Sequence, residues 1–103
     1  MVKEKSIATT SNLLKENWGK KLQLVIWDND ITPFPVVVAV LKKFCNLSFE
    51  EATDIAQLAQ KNGAAVCKEY MDESVAYTTY RLILAFLQEI DHSELKFELI
   101  SSI

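Results

Sequence analysis

Trp27-Asp28-Asn29-Asp30-Ile31-Thr32-Pro33-Phe34 is the stretch whose reading decides the fold of this chain. Before it, Leu22, Leu24 and Ile26 alternate with Gln23, Val25 and Trp27, the period of a strand whose leucine and isoleucine side faces a core. After it, Thr32 suits a helix N-cap and Pro33 the first helical position, where a missing N–H costs nothing. The pattern predicts a helix from Pro33 to about Phe44, with Pro35 tolerated in the first turn. Valines at 36 to 38 favour a strand intrinsically, so the Thr-Pro start carries this assignment. Asp28, Asn29 and Asp30 then lie at the positive end of that helix, three acceptors suited to a ligand rich in donors.

Outward from this turn the punctuation is regular. Ser48-Phe49-Glu50-Glu51 is a capping box opening a second helix that ends near Asn62, and Gly63 can take the left-handed position after it. Ala64 to Tyr70 reads as a second strand, Asp72 as the cap of a third helix reaching about Ile90, and Leu95, Phe97 and Leu99 as an alternating final strand. The order is βααβαβ, an α+β fold with a small, mainly antiparallel three-stranded sheet and three helices on one side. On the third helix Val75, Leu82, Ile83, Phe86 and Ile90 form one apolar stripe, and Tyr77, Tyr80, Leu84 and Leu87 a second. The second is either core or a protein contact surface.

The chain has 103 residues, half of them hydrophobic, and a mean hydropathy of +0.07, which suits a single core. Residues 1–21, rich in Ser, Thr, Asn and Lys, read as a flexible extension, and 22–103 as the core domain. The extension carries Lys3, Lys5, Lys15, Lys20 and Lys21 against Glu4 and Glu16, a net +3; with the whole chain at −3, the remainder stands at −6. An acidic body argues against nucleic acid. No apolar run, Val36 to Leu41 included, approaches the roughly 20 residues of a membrane span, and no signal peptide opens the chain, so a cytoplasmic protein without membrane contact is expected. Cys45 and Cys67 read as small buried apolar residues.

Catalysis finds little support. His92 is the only histidine, and no nucleophile elbow, phosphate loop or metal-ligand spacing occurs. Asp28-Asn29-Asp30 does not continue as a calcium loop, since Pro33 and Ala39 stand where glycine and glutamate are needed. A non-enzymatic protein without cofactor or metal is the expectation.

Asn29-Asp30-x-Thr32-Pro33, between strand and helix, resembles the Asn-Asp-Asp-x-Thr-Pro-Met signature of ClpS, the adaptor that hands N-degron substrates to the Clp AAA+ protease. Glu51-Ala52-Thr53 and Gly63-x-Ala65-Val66-Cys67 fall at ClpS-like places without a gap, and the resemblance spans about Leu22 to Leu99. It implies the ClpS fold, also similar to the C-terminal domain of the ribosomal stalk protein, and supports the helical reading of the valines. It further implies a site that grips a free α-amine beside an apolar pocket for the first side chain.

Carried over, the resemblance implies α-amine binding by Asp28, Asn29, Asp30 and Gln60. In the ungapped alignment Asp28 and Asn29 stand where the family has Asn and Asp, whereas a one-residue deletion would align Asn29 and Asp30 with that pair; Gln60 replaces the family histidine. It implies a backbone and side-chain pocket of Thr32, Phe34, Val37, Ala56, Ala59 and Leu95, with Phe34 in place of a gatekeeping methionine. On the third helix Glu73 matches an acidic unfoldase contact and Thr78 occupies the place of a lysine. The implied partners are N-degron proteins or peptides and the N-terminal domain of a ClpA- or ClpC-type unfoldase, which the extension enters during delivery. The other reading is an interaction or regulatory domain of the same fold that has lost N-degron binding and acts through the third helix.

Overall fold

A computed structural model of the chain describes residues 21–101; the extension read at 1–21 lies almost wholly outside them. The elements run β1 (Leu22–Trp27), α1 (Phe34–Cys45), α2 (Phe49–Asn62), β2 (Ala64–Tyr70), α3 (Glu73–Glu89) and β3 (Lys96–Ser101). The expected order βααβαβ is therefore present. β1 is the central strand, antiparallel to β2 on one side and β3 on the other. One core joins Leu24 and Ile26 of β1 and Phe97 of β3 to Val40 and Leu41 of α1, Ala52, Ala56 and Ala59 of α2, and Ala76, Ile83 and Leu87 of α3. All three helices thus bury their apolar sides on the same face of the sheet.

Local chemistry explains most boundaries. The Ser48 hydroxyl accepts from the Glu51 N–H and the Glu51 carboxylate from the Ser48 N–H, a complete capping box at the start of α2. At its other end Gly63 adopts φ 90° and donates its N–H to the Ala59 carbonyl at 2.7 Å. The Asp72 carboxylate caps α3 through the N–H groups of Ser74 and Val75. Lys68 places its ammonium 3.1 Å from the Cys45 carbonyl, where the negative end of α1 favours a cation. A bulge at Cys67 lets it and Lys68 share the core side, because Leu24 pairs with Lys68 but Val25 with Val66.

Four details depart from the sequence reading. Thr32 does not cap α1: Pro33 holds the N-cap position, with no side-chain cap, and the helix starts at Phe34. The Val36 and Val37 N–H groups turn to the Pro33 carbonyl at 3.0 and 3.2 Å, while the Thr32 hydroxyl bonds Glu94, an ionised and therefore stronger acceptor. Leu95 lies just ahead of β3, not within it. Val25, on the outer face, is only 6% exposed, because β1 is central and its partners Val66 and Glu98 flank it on both sides.

Neither apolar stripe on α3 is buried as a unit. Ala76, Ile83 and Leu87 are buried and Tyr80, Phe86 and Ile90 half-buried, whereas Val75 and Leu82 of the first stripe and Tyr77 and Leu84 of the second are exposed. The buried line runs through Ala76, Ile83 and Leu87, and so includes a small residue that a stripe drawn through large side chains overlooks.

Gly63 has open space around its missing Cβ, so steric collision does not constrain it, but its φ of +90° does. Gly63→Ala is expected to lower the unfolding free energy by about 1–2 kcal/mol through left-handed backbone strain alone, measured by urea denaturation. An unchanged midpoint would show that the turn does not depend on this conformation.

Candidate functional site: a cleft beneath the β1–α1 turn

The turn after β1 hangs over the end of α2 because of one backbone bond. The Asp28 N–H donates to the Gly63 carbonyl at 2.9 Å, extending the β1–β2 ladder one step past the Trp27–Ala64 pair. The glycine that ends α2 therefore also fixes the first residue of the turn. Asn29 shapes the rest of the turn: its Oδ1 accepts the N–H groups of both Ile31 and Thr32 at 2.8 Å, an Asx turn that carries the chain down to Pro33.

Between the turn and the helices lies a narrow cleft of about 20 Å³, room for about one water molecule. Its walls are the end of β1 (Ile26, Trp27), the turn (Asp28, Asn29, Thr32), α1 (Phe34, Val37), α2 (Ala56, Ala59, Gln60) and Leu95 from the α3–β3 connection. Nine of the residues named from the sequence meet there: Asp28, Asn29, Thr32, Phe34, Val37, Ala56, Ala59, Gln60 and Leu95. Asp30 is exposed on the turn and does not line the cleft. Glu73 and Thr78 lie elsewhere, exposed on α3; Glu73 borders a separate shallow groove with Leu22, Met71 and Tyr77.

The apolar part of the cleft obeys helical periodicity. Ala52, Ala56 and Ala59 face inward from α2 at helical spacing and are 0, 1 and 2% exposed. Their small side chains leave room that larger ones would fill, and Leu95, 2% exposed, closes the opposite wall. Phe34 and Val37, half-buried, both pack on the core and face the cleft.

The polar part is unequal in what it can still accept. Asn29 spends its amide oxygen on the turn and offers the cleft only N–H donors. Asp28 and Gln60 are exposed, and neither side chain has a hydrogen bond among the described residues. A carboxylate and an amide thus both line the cleft beside the last turn of α2, whose dipole adds partial negative charge. The combination suits a small cation with several N–H donors. Among the described residues no cluster of His, Cys, Asp or Glu is arranged to hold a metal.

The sequence reading missed Ile26, Trp27, His92 and Glu94. Ile26 and Trp27 belong to the cleft simply because the strand runs into the turn. Glu94 joins two loops: its Oε2 accepts the Thr32 hydroxyl at 2.6 Å and lies 2.7 Å from His92 Nδ1. These two bonds, that from Thr32 first, hold the Glu94 carboxyl down at about 2. Nothing in the local sequence announces a partner 62 residues away.

Known proteins share this architecture. Residues 19–97 match the family model described as ATP-dependent Clp protease adaptor protein ClpS. The ATP-dependent Clp protease adapter protein ClpS of Nitrosospira multiformis is 33% identical over 70 residues, 68% of each chain. That of Cronobacter sakazakii is 29% identical over 98 residues, 89% of this chain and 92% of the relative. The structure of Agrobacterium tumefaciens ClpS2 bound to L-phenylalaninamide superposes with a TM-score of 0.73 at 22% identity, covering 81% of this chain and 98% of that one. The fold is that of a small protease adaptor domain. The chain belongs to the ClpS family.

The Glu94 carboxyl has a defined linkage signature. A folded-state pKa near 2 against an ordinary 4.5 means that ionised Glu94 stabilises the fold above about pH 4.5, and that this contribution is lost as pH falls toward 2. The stability difference between wild type and Glu94→Gln, measured by urea denaturation, is expected to be largest above pH 5 and to shrink steadily as pH falls from 4.5 toward 2. A difference independent of pH over that window would contradict the ionised bridge.

Proposed function

We propose that this chain is an adaptor that binds proteins through a free, destabilising N-terminal residue and delivers them to a Clp AAA+ unfoldase. The observation that carries this reading is that Asp28 and Gln60, both exposed, line one cleft with Phe34, Val37, Ala56, Ala59 and Leu95. A free α-amine is an N–H₃⁺ group with three donors; the Asp28 carboxylate and the Gln60 amide oxygen answer two of them. The negative end of α2 favours the same charge. In this reading Asp30, outside the cleft, contributes at most long-range attraction, and Asn29 holds the turn in place.

Gln60 makes an uncharged contact where the family has a histidine. A hydrogen bond to a charged group is worth about 1.5–3 kcal/mol, and burying a large apolar side chain contributes about 1.5–3 kcal/mol more. Two such polar bonds plus one buried side chain suffice for selective capture, so the histidine is not essential to the reading. The alanines of α2 put no large side chain on the cleft floor, and Phe34 at the start of α1 restricts the shape of what enters. ClpS2 of Agrobacterium tumefaciens, of similar fold, is bound to L-phenylalaninamide, an aromatic residue with a free amine.

Delivery calls for a second surface. Glu73 and Thr78 on exposed α3 are proposed to meet the N-terminal domain of a ClpA- or ClpC-type unfoldase, leaving the cleft open. Residues 1–21 are proposed as the extension that acts in hand-over. A cytoplasmic setting suits such a partner, and no described helix is long and apolar enough to cross a membrane.

The test is a titration with ten-residue peptides that begin with Phe, Leu, Tyr or Trp, each against its N-acetylated copy. The free peptides are expected to bind at least about tenfold more tightly, since acetylation removes the charge and two donors. Asp28→Ala should remove most of that preference. Equal affinity for free and acetylated peptides would overturn amine capture and favour the ClpS-fold interaction domain instead.

A further inference from the structure

Thr32 is held on both sides. Its N–H goes to Asn29 Oδ1 at 2.8 Å and its hydroxyl to Glu94 Oε2 at 2.6 Å, while the side chain lines the cleft. Because an ionised carboxylate only accepts, the hydroxyl proton must point to Glu94, and the oxygen keeps its lone pairs for anything else it meets. The same logic makes His92 Nδ1 a donor to Glu94. His92 is itself anchored by its N–H to the Leu87 carbonyl at the end of α3, and its own carbonyl accepts the N–H of Leu95, the buried wall of the cleft. One carboxylate oxygen therefore connects the β1–α1 turn to the loop that sets Leu95.

We infer that Glu94 is a positioning residue for the bound peptide: by taking the hydroxyl proton of Thr32, it fixes that oxygen as an acceptor for the backbone N–H of the substrate's second residue. The inference rests on the adaptor reading. With the α-amine at Asp28 and Gln60, the next donor along a peptide is that N–H, and Thr32 is the next cleft residue along the turn whose oxygen is available as an acceptor. Without Glu94 the hydroxyl rotates freely and presents a proton to the cleft part of the time. Binding would then lose directionality although no residue touching the peptide had changed.

The experiment uses the full chain and two probes: a ten-residue peptide with N-terminal Phe, and its analogue in which an ester oxygen replaces the second residue's N–H. Wild type is expected to bind the ester about tenfold more weakly, the effect of one lost hydrogen bond. Thr32→Val should bind the two probes alike. Glu94→Ala and Glu94→Leu, the latter keeping the side-chain bulk, should lose most of the discrimination, whereas Glu94→Gln, which still offers an oxygen to Thr32, should keep it. Thr32→Val combined with Glu94→Ala should be no worse than Thr32→Val alone; losses that add would assign Glu94 a separate structural role and overturn the inference. Equal binding of amide and ester by wild type, or discrimination retained in both the Ala and Leu variants of Glu94, would also overturn it. If wild type prefers free to acetylated peptide yet treats amide and ester alike, only this inference fails; if it ignores acetylation, the adaptor reading fails and this inference falls with it.

Discussion

The hydrogen bond from the Asp28 N–H to the Gly63 carbonyl is the constraint on which the cleft depends. Gly63 ends α2 through its left-handed backbone, leads directly into β2, and receives the first residue of the β1–α1 turn. One residue thereby brings together the last turn of α2, which carries Ala59 and Gln60, and the acidic turn, which carries Asp28. A helix that ended one residue later would rotate Gln60 by about 100° around its axis relative to the strand it precedes. That Asp28 and Gln60 line one cleft is thus a consequence of where α2 stops.

The cleft also shows a division of labour between its polar groups. Asn29, whose oxygen is committed to the Ile31 and Thr32 N–H groups, builds the turn, and Asp28 keeps its carboxylate available beside the cleft. Thr32 and Glu94 tie the far side of the turn to the loop carrying Leu95. The walls are consequently fixed from two directions, through β2 and through α3, while the floor is made of small alanines. A binding site that must accept many different proteins by one end needs this kind of rigid frame with little reliance on the rest of the ligand.

Much of this was legible in the sequence, for identifiable reasons. The Ser48–Glu51 box and Gly63 bound α2 because their signals are local and strong, and the alternation of β1 located the turn. Family spacing grouped Gln60, Phe34 and Leu95 together, and the fold brings them to one cleft. What escaped was non-local or concerned small residues. Thr32 reads as a cap until Glu94, 62 residues on, is found to hold its hydroxyl. The division of α3 into two stripes failed because the buried line of Ala76, Ile83 and Leu87 draws on both and on a small residue that neither contains, and Val25 is covered only because β1 proved to be the middle strand. The equivalence of Asp28, Asn29 and Asp30 as acceptors could not survive the turn geometry, which a linear reading does not contain.

The central claim, a free amine held at Asp28 and Gln60 with its side chain in the alanine-floored cleft, is tested most directly by locating the ligand on the protein. A two-dimensional ¹H–¹⁵N spectrum titrated with phenylalaninamide should shift the backbone resonances of Asp28, Asn29, Thr32, Gln60 and Leu95 and leave those of Glu73 and Tyr77 unmoved. The N-acetylated compound at the same concentrations should leave Asp28 and Gln60 unshifted. Shifts confined to α3, or identical shifts with both compounds, would contradict the account.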